Sequence, residues 1–280
     1  MKSTKFFLLF CFSMLFASRF DVLNAQVVRD SVPELGGVGV TEHLGATIPL
    51  DLKFKDENGR EVKLANYFSK GLNGRPVLLT LAYYRCPMLC TLVLNGVCNG
   101  AKELSLVAGR DFDIVTVSID PREDAALAKE KKERYVEAYG KPEAATGWTF
   151  LTGDEKEIQS LAKAVGFGYK YIEERDDFAH PAVSYILMPD GKISRYLYGI
   201  EFKPNDLKLA LLEAGNGKIG NTIDRIILYC YHYDPNAKGY VVMAGNVMKV
   251  GGVMTFIALS LFLASFWVKE RFTEDAKTTV

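Results

Sequence analysis

Two cysteines four positions apart, Cys86 and Cys90, carry the clearest chemistry in this 280-residue chain. They follow residues 76–81, an apolar run that reads as a buried strand. They precede Leu94, Val97, Cys98, Ala101 and Leu104, which are spaced with helical period. Two thiols therefore sit where a core strand turns into a helix. The partial positive charge of a helix N-terminus favours the thiolate, the form that attacks disulfides and binds metals. Residues four apart on a helical turn share a face, so both sulfurs can reach one atom. Three chemistries suit such a pair: thiol–disulfide exchange, peroxide reduction through one activated cysteine, and metal binding. Exchange sites usually place two residues between the cysteines, whereas Pro87, Met88 and Leu89 make three. Two thiolates with one imidazole suit a soft ion such as Cu(I). Zinc would want a fourth ligand or a water.

The chain has three histidines, His43, His180 and His232. His180 lies in a loop, residues 176–181, that enters a strand at 183–188. In a thioredoxin-like sandwich that loop lies against the dithiol; a solvent-exposed loop histidine fits the residues equally well. Asp120, ahead of Pro121, reads either as an acceptor that orients a ligand or as a turn or cap carboxylate. Arg85 either lowers the Cys86 pKa or is simply solvated. Met88 reads as packing more than as a soft ligand, and Cys98 as a buried free cysteine. Cys230 and His232 point the same way along a strand, as a second metal site or as packed side chains.

The surrounding elements must position these groups. Ile48, Leu50, Leu52 and Phe54 alternate as in a half-buried strand, residues 56–60 form a turn, and 62–64 start the partner of an N-terminal hairpin. Residues 112–119 read as a buried strand, 125–139 as a charged amphipathic helix, and 149–153 as a short strand and turn. A helix over 155–165 takes Asp154 as its cap, and 169–171 is extended. Strands at 183–188 and 193–198 pair through Pro189-Asp190-Gly191. Asn205 caps a last helix through Leu207, Leu211 and Leu212. This alternation predicts an α/β fold, a thioredoxin-like sandwich over residues 47–214 with parallel central strands and an antiparallel edge. Residues 26–46 are a lead-in. Residues 215–249 are an extension with Cys230, His232 and many aromatics, ending in a linker.

The two ends point to a membrane. Hydrophobic residues make up 49% of the chain and the formal net charge is zero, so nothing suggests nucleic-acid binding, which needs a basic patch or stripe. Residues 1–25 read as a cleaved signal peptide: Lys2 and Lys5 precede a short apolar run, and Ala25 precedes Gln26. An uncleaved anchor is the alternative. Residues 250–268 carry no charge, follow Lys249, and end near Trp267, ahead of Lys269 and Arg271. They are expected to form one transmembrane helix, with 269–280 as a cytosolic tail. The main domain then sits on the periplasmic side of the inner (plasma) membrane, held by a single pass. There, close thiols become a disulfide unless reduced or metallated.

Cys86-Pro87-Met88-Leu89-Cys90, then Ser118-Ile119-Asp120-Pro121, then Gly147-Trp148-Thr149-Phe150-Leu151-Thr152-Gly153, and finally His180 ahead of Tyr185-Ile186-Leu187-Met188-Pro189-Asp190-Gly191 together resemble the SCO/SenC family. The resemblance implies a thioredoxin-like copper protein with Cys86, Cys90 and His180 as the ligands of one copper, Cu(I) or Cu(II), per chain. It implies delivery to the binuclear copper centre on the copper-bearing subunit of cytochrome c oxidase. A thiol reductant or another copper chaperone would be a further partner. The alternative is a membrane-tethered thiol–disulfide reductase acting on the oxidase copper-site cysteines. It would use Cys86 and Cys90 as a redox pair and would not need His180. A peroxidase would need only one activated cysteine and a resolving thiol.

Overall fold

The computed structural model describes residues 36–68, 74–86, 88–215, 231–234, 239–242, 246 and 248–262. The expected signal peptide, Cys230 and the expected cytosolic tail lie outside these residues. In chain order the elements are β1 (Gly39–Val40), β2 (Lys53–Lys55), β3 (Glu61–Lys63), β4 (Val77–Ala82), α1 (Leu89–Lys102), β5 (Asp113–Ser118), α2 (Ala125–Tyr139), α3 (Ala144–Gly147), β6 (Trp148–Leu151) and α4 (Glu155–Ala164). There follow β7 (Phe167–Gly168), β8 (Lys170–Ile172), β9 (Asp177–Ala179), β10 (Val183–Leu187), β11 (Ile193–Tyr198), α5 (Pro204–Ala214), β12 (Tyr231–Asp234) and β13 (Gly239–Val242).

The central sheet has the order β11-β10-β4-β5-β6. β4, β5 and β6 are parallel, because helical crossovers join them. β10 and β11 are antiparallel to their neighbours, β11 returning from β10 through the Pro189-Asp190-Gly191 turn. β4 is central and buried at every residue, which is why it reads as an apolar run. Its one hydroxyl, on Thr80, lies 3.0 Å from the Ser184 hydroxyl on β10, directly opposite in register. Both residues are fully buried.

α1 turns Cys90, Val93, Leu94, Val97, Cys98 and Ala101 inward. Gly96 lets the chain after β11 lie against the helix: a Cβ there would stand 2.1 Å from the Ile200 carbonyl oxygen. α1 touches both α2 and α5; α2 packs on β6, and α5 on β10 and β11. α2 starts at Asp124, whose carboxylate accepts the Leu127 N–H at 2.9 Å, and stops at a left-handed Gly140.

Several expectations change. Among the described residues no helix is long and apolar enough to cross a membrane, which overturns the transmembrane helix expected over 250–268. The described helical residues there, 248–262, rise about 22 Å, short of a hydrocarbon core of about 30 Å; 263–268 lie outside the described residues. The strand expected over 48–54 contracts to β2. Pro49 has no N–H to give a ladder, and Thr47 makes only an isolated bridge to Lys192. Ile48 and Phe54 are nonetheless buried. α5 begins with Pro204 in its first turn and Lys203 as its cap residue, so Asn205 lies inside the helix. Asp154 stands at the cap of α4 but makes no side-chain cap hydrogen bond. In the extension, β12 pairs with β13 and places His232 opposite Val241.

Candidate metal centre

Cys86 and Cys90 straddle the turn from β4 into α1, and both are buried. The turn is held by backbone and side-chain hydrogen bonds together. The Cys86 N–H donates to the Tyr83 carbonyl at 3.3 Å, and the Thr91 hydroxyl to the Cys86 carbonyl at 2.9 Å. Two backbone N–H groups point at sulfur: Cys90 N–H at Cys86 Sγ, 3.3 Å, and Tyr83 N–H at Cys90 Sγ, 3.4 Å.

A residue that the sequence did not single out anchors this turn from outside. Glu123 is 5% exposed. Its carboxylate accepts the Tyr84 N–H at 2.8 Å, the Arg85 N–H at 2.7 Å and the Ser118 hydroxyl at 2.6 Å. Burial pushes its pKa up, and those three hydrogen bonds oppose the shift. The only signal in the sequence was an acidic residue placed between the Asp120-Pro121 turn and the cap of α2.

The two thiols are electrostatically unlike. Cys86 falls to about 3 through hydrogen bonding with Cys90 first, then with His180, Tyr83 and the Met88 backbone, against the effect of burial. Cys90 is pushed well above the ordinary thiol range by burial and by the neighbouring Cys86. Cys86 is thus the more acidic thiol of the pair and Cys90 the less acidic. Alkylation makes this measurable. A lowered pKa keeps the thiolate as pH falls, so the Cys86 rate with iodoacetamide is expected to stay flat from about pH 8 to about pH 5. An ordinary thiol would slow about tenfold per unit over that range. Peptide mass spectrometry reads both cysteines separately, and a tenfold loss per unit at Cys86 would show ordinary acidity.

His180 follows β9 directly and is 7% exposed. Its Nδ1 lies 3.0 Å from the Pro181 carbonyl oxygen, which can only accept, so Nδ1 carries a proton and Nε2 is the nitrogen turned to sulfur. Nε2 stands 2.8 Å from Cys90 Sγ. The ring is seated between Tyr83, edge-on at 6.2 Å, and Phe167 at 5.9 Å. The Tyr83 hydroxyl donates to Asp177, tying β9 to the cysteine turn. The ligand atoms of Cys86, Cys90 and His180 all lie within 4.8 Å of one another, a group that could hold a metal ion. Two sulfurs and one imidazole nitrogen form a soft donor set.

Asp120 serves a turn: its carboxylate accepts the Arg122 backbone N–H at 2.9 Å and the Nε and Nη2 hydrogens of the Arg122 guanidinium at 2.8 Å each. Arg85 gives its backbone N–H to Glu123, and its side chain is exposed. Met88 is 71% exposed at the start of α1. Cys98 is buried and free, its sulfur 3.9 Å from the Tyr135 carbonyl oxygen. His232 lies in β12, away in sequence from this group, and Cys230 lies outside the described residues.

The family model described as SCO1/SenC matches residues 45–211. The SCO1 protein homolog of Bacillus subtilis (strain 168) is 27% identical over 155 residues, 55% of this chain and 75% of the relative. Among solved structures, a provisionally named electron transfer protein from Aquifex aeolicus VF5 aligns with a TM-score of 0.53 and 26% identity, over 61% of this chain and 94% of that one. Arabidopsis thaliana ScoI, solved with copper bound, aligns with a TM-score of 0.45 and 21% identity, over 61% and 97%.

Proposed function

Because this chain belongs to the SCO1/SenC family, we propose that it is a copper metallochaperone, carrying one copper on Cys86, Cys90 and His180. The observation that carries the reading is the meeting of two sulfurs and Nε2 within 4.8 Å. Cys86 supplies a ready thiolate, Cys90 loses its proton on binding, and the Nδ1–H bond to Pro181 fixes the ring so that Nε2 is free to donate. The proposed acceptor is the copper-bearing subunit of cytochrome c oxidase, on the extracytoplasmic side. In that oxidising compartment a disulfide between Cys86 and Cys90 would remove two of three ligands, so loading requires a thiol reductant or a copper-donating chaperone.

The split in thiol acidity favours a second reading, a thiol–disulfide reductase. The Cys86 thiolate would attack a partner disulfide and release one partner thiolate. Cys90, on losing its proton, would attack Cys86 Sγ and release the second, leaving Cys86 and Cys90 oxidised. The two readings separate on the reduced full chain. About one Cu(I) per chain, bound tightly, supports the chaperone. Weak copper binding with rapid reduction of a test disulfide supports the reductase.

A further inference from the structure

We infer that Arg122 and Asp176 latch the β8–β9 hairpin, and that this latch positions His180 and sets how fast it leaves the metal. The inference rests on the copper reading above. Two of the three ligands are built into the buried β4–α1 turn, but the third arrives on a different element. His180 is the first residue after β9, and the hairpin it follows is poorly packed. β8 and β9 are half-buried or exposed throughout, whereas β10, three residues beyond, is wholly buried. A cavity of about 550 Å³ borders the hairpin, lined by Tyr169, Tyr171, Phe178, Phe167 and Arg122. Phe178 packs against the core and the Tyr83 hydroxyl holds Asp177, so core packing fixes this hairpin only in part, and specific polar contacts at its turn must do the rest.

One guanidinium makes most of them. Arg122 grips both oxygens of Asp120, a 2% exposed residue just past the end of β5. Its remaining arm donates to Asp176 at 2.7 Å and to the Tyr171 hydroxyl at 3.3 Å. That hydroxyl donates in turn to Asp176 at 2.6 Å. The guanidinium also stacks 4.9 Å from the Tyr171 ring centre and 5.9 Å from that of Phe178. Asp176 holds the hairpin turn at a φ of +47°, the left-handed region. The latch is at the surface, with the side chains of Arg122 and Asp176 48% and 73% exposed. The sulfurs are in the core. Opening the latch would leave β9 held by the Tyr83–Asp177 bond and Phe178 alone and loosen His180 while both sulfurs stay in place, so copper could pass from three ligands to two without disturbing the cysteine turn.

Two substitutions test this in the full chain. Asp176→Gly removes the latch carboxylate at a backbone conformation glycine adopts freely. Arg122→Lys leaves a cation beside buried Asp120 but loses the two-armed grip. Both are expected to release Cu(I) to a chelator about fivefold faster than wild type in stopped flow. In a His180→Ala background the same substitutions should leave release unchanged, since the latch acts only through that ring. Without metal, ¹⁵N NMR should show a sharp His180 ring signal in wild type and an exchange-broadened one in both variants. Equal release rates, or the same acceleration without His180, would overturn the latch. If wild type takes up no copper, the copper reading falls, and the ring signal alone decides: broadened in the variants it supports the latch, unchanged it overturns it.

Discussion

Replacing His180 with alanine is expected to lower Cu(I) affinity at least about a hundredfold while the domain stays folded. Losing only an outer partner of a metal ligand commonly costs about ten- to a hundredfold, so losing an inner ligand should cost no less. Cys86 and Cys90 would remain as a two-coordinate pair, enough to keep some Cu(I) but not to hold it against a competitor. The fold should tolerate the change, because the ring lies between Tyr83 and Phe167 outside the central sheet. Competition with a chelator of known affinity measures the first effect, and thermal unfolding the second. Unchanged affinity in a folded variant would exclude His180 as a ligand and move the function toward thiol exchange.

Glu123→Ala should cost about 2–4 kcal/mol of stability, although the residue touches no ligand. The substitution strands the buried Tyr84 N–H, frees the Arg85 N–H, and leaves the Ser118 hydroxyl only its longer bond to the Asp120 carbonyl, at 3.3 Å. Each buried donor left without a partner costs about 1–3 kcal/mol. Glu123→Gln should cost less: one oxygen still accepts, while the amide turns donor against donor. Denaturant midpoints for the two variants read the difference. Because Tyr84 and Arg85 lead directly into Cys86, copper affinity should fall in the same order. A midpoint within about 0.5 kcal/mol of wild type for Glu123→Ala would mean that water replaces the carboxylate.

What could be read in advance were the parts fixed by local pattern. β4, β5 and β10 announce themselves because burial on both faces demands largely apolar runs. α2 was legible to the residue from its charged amphipathic pattern over 125–139, and the structure adds the residues that bound it, Asp124 and Gly140. The Cys86–Cys90 turn followed from the change of period after β4. The partners of that turn could not be read. Glu123 meets Tyr84 and Arg85 across 39 and 38 positions, and nothing local distinguishes it from the exposed acids of α2. Nothing local marks Arg122, and only the folded hairpin brings Asp176 and Tyr171 to it. At the C-terminal end, apolar composition alone suggested a span that the described helix does not reach.

The hydroxyl pair between Thr80 and Ser184 acts as an alignment dowel for a centre it never touches. β4 and β10 are antiparallel, so stepping back from Ser184 to His180 and forward from Thr80 to Cys86 moves toward the same end of the sheet. A slip of one residue would turn the inner face of β10 the wrong way. A slip of two would restore the faces but carry His180 about 7 Å along the sheet, out of reach of the sulfurs. Apolar side chains alone discriminate poorly against that second error, since Ile186 and Leu187 could find other aliphatic neighbours. The hydroxyls do not allow it: two residues out, Ser184 would face Leu78 or Ala82 and stay unpaired in a dry interior. The spacing of the metal ligands is thus gauged in the middle of the sheet, by two hydroxyls that meet each other there.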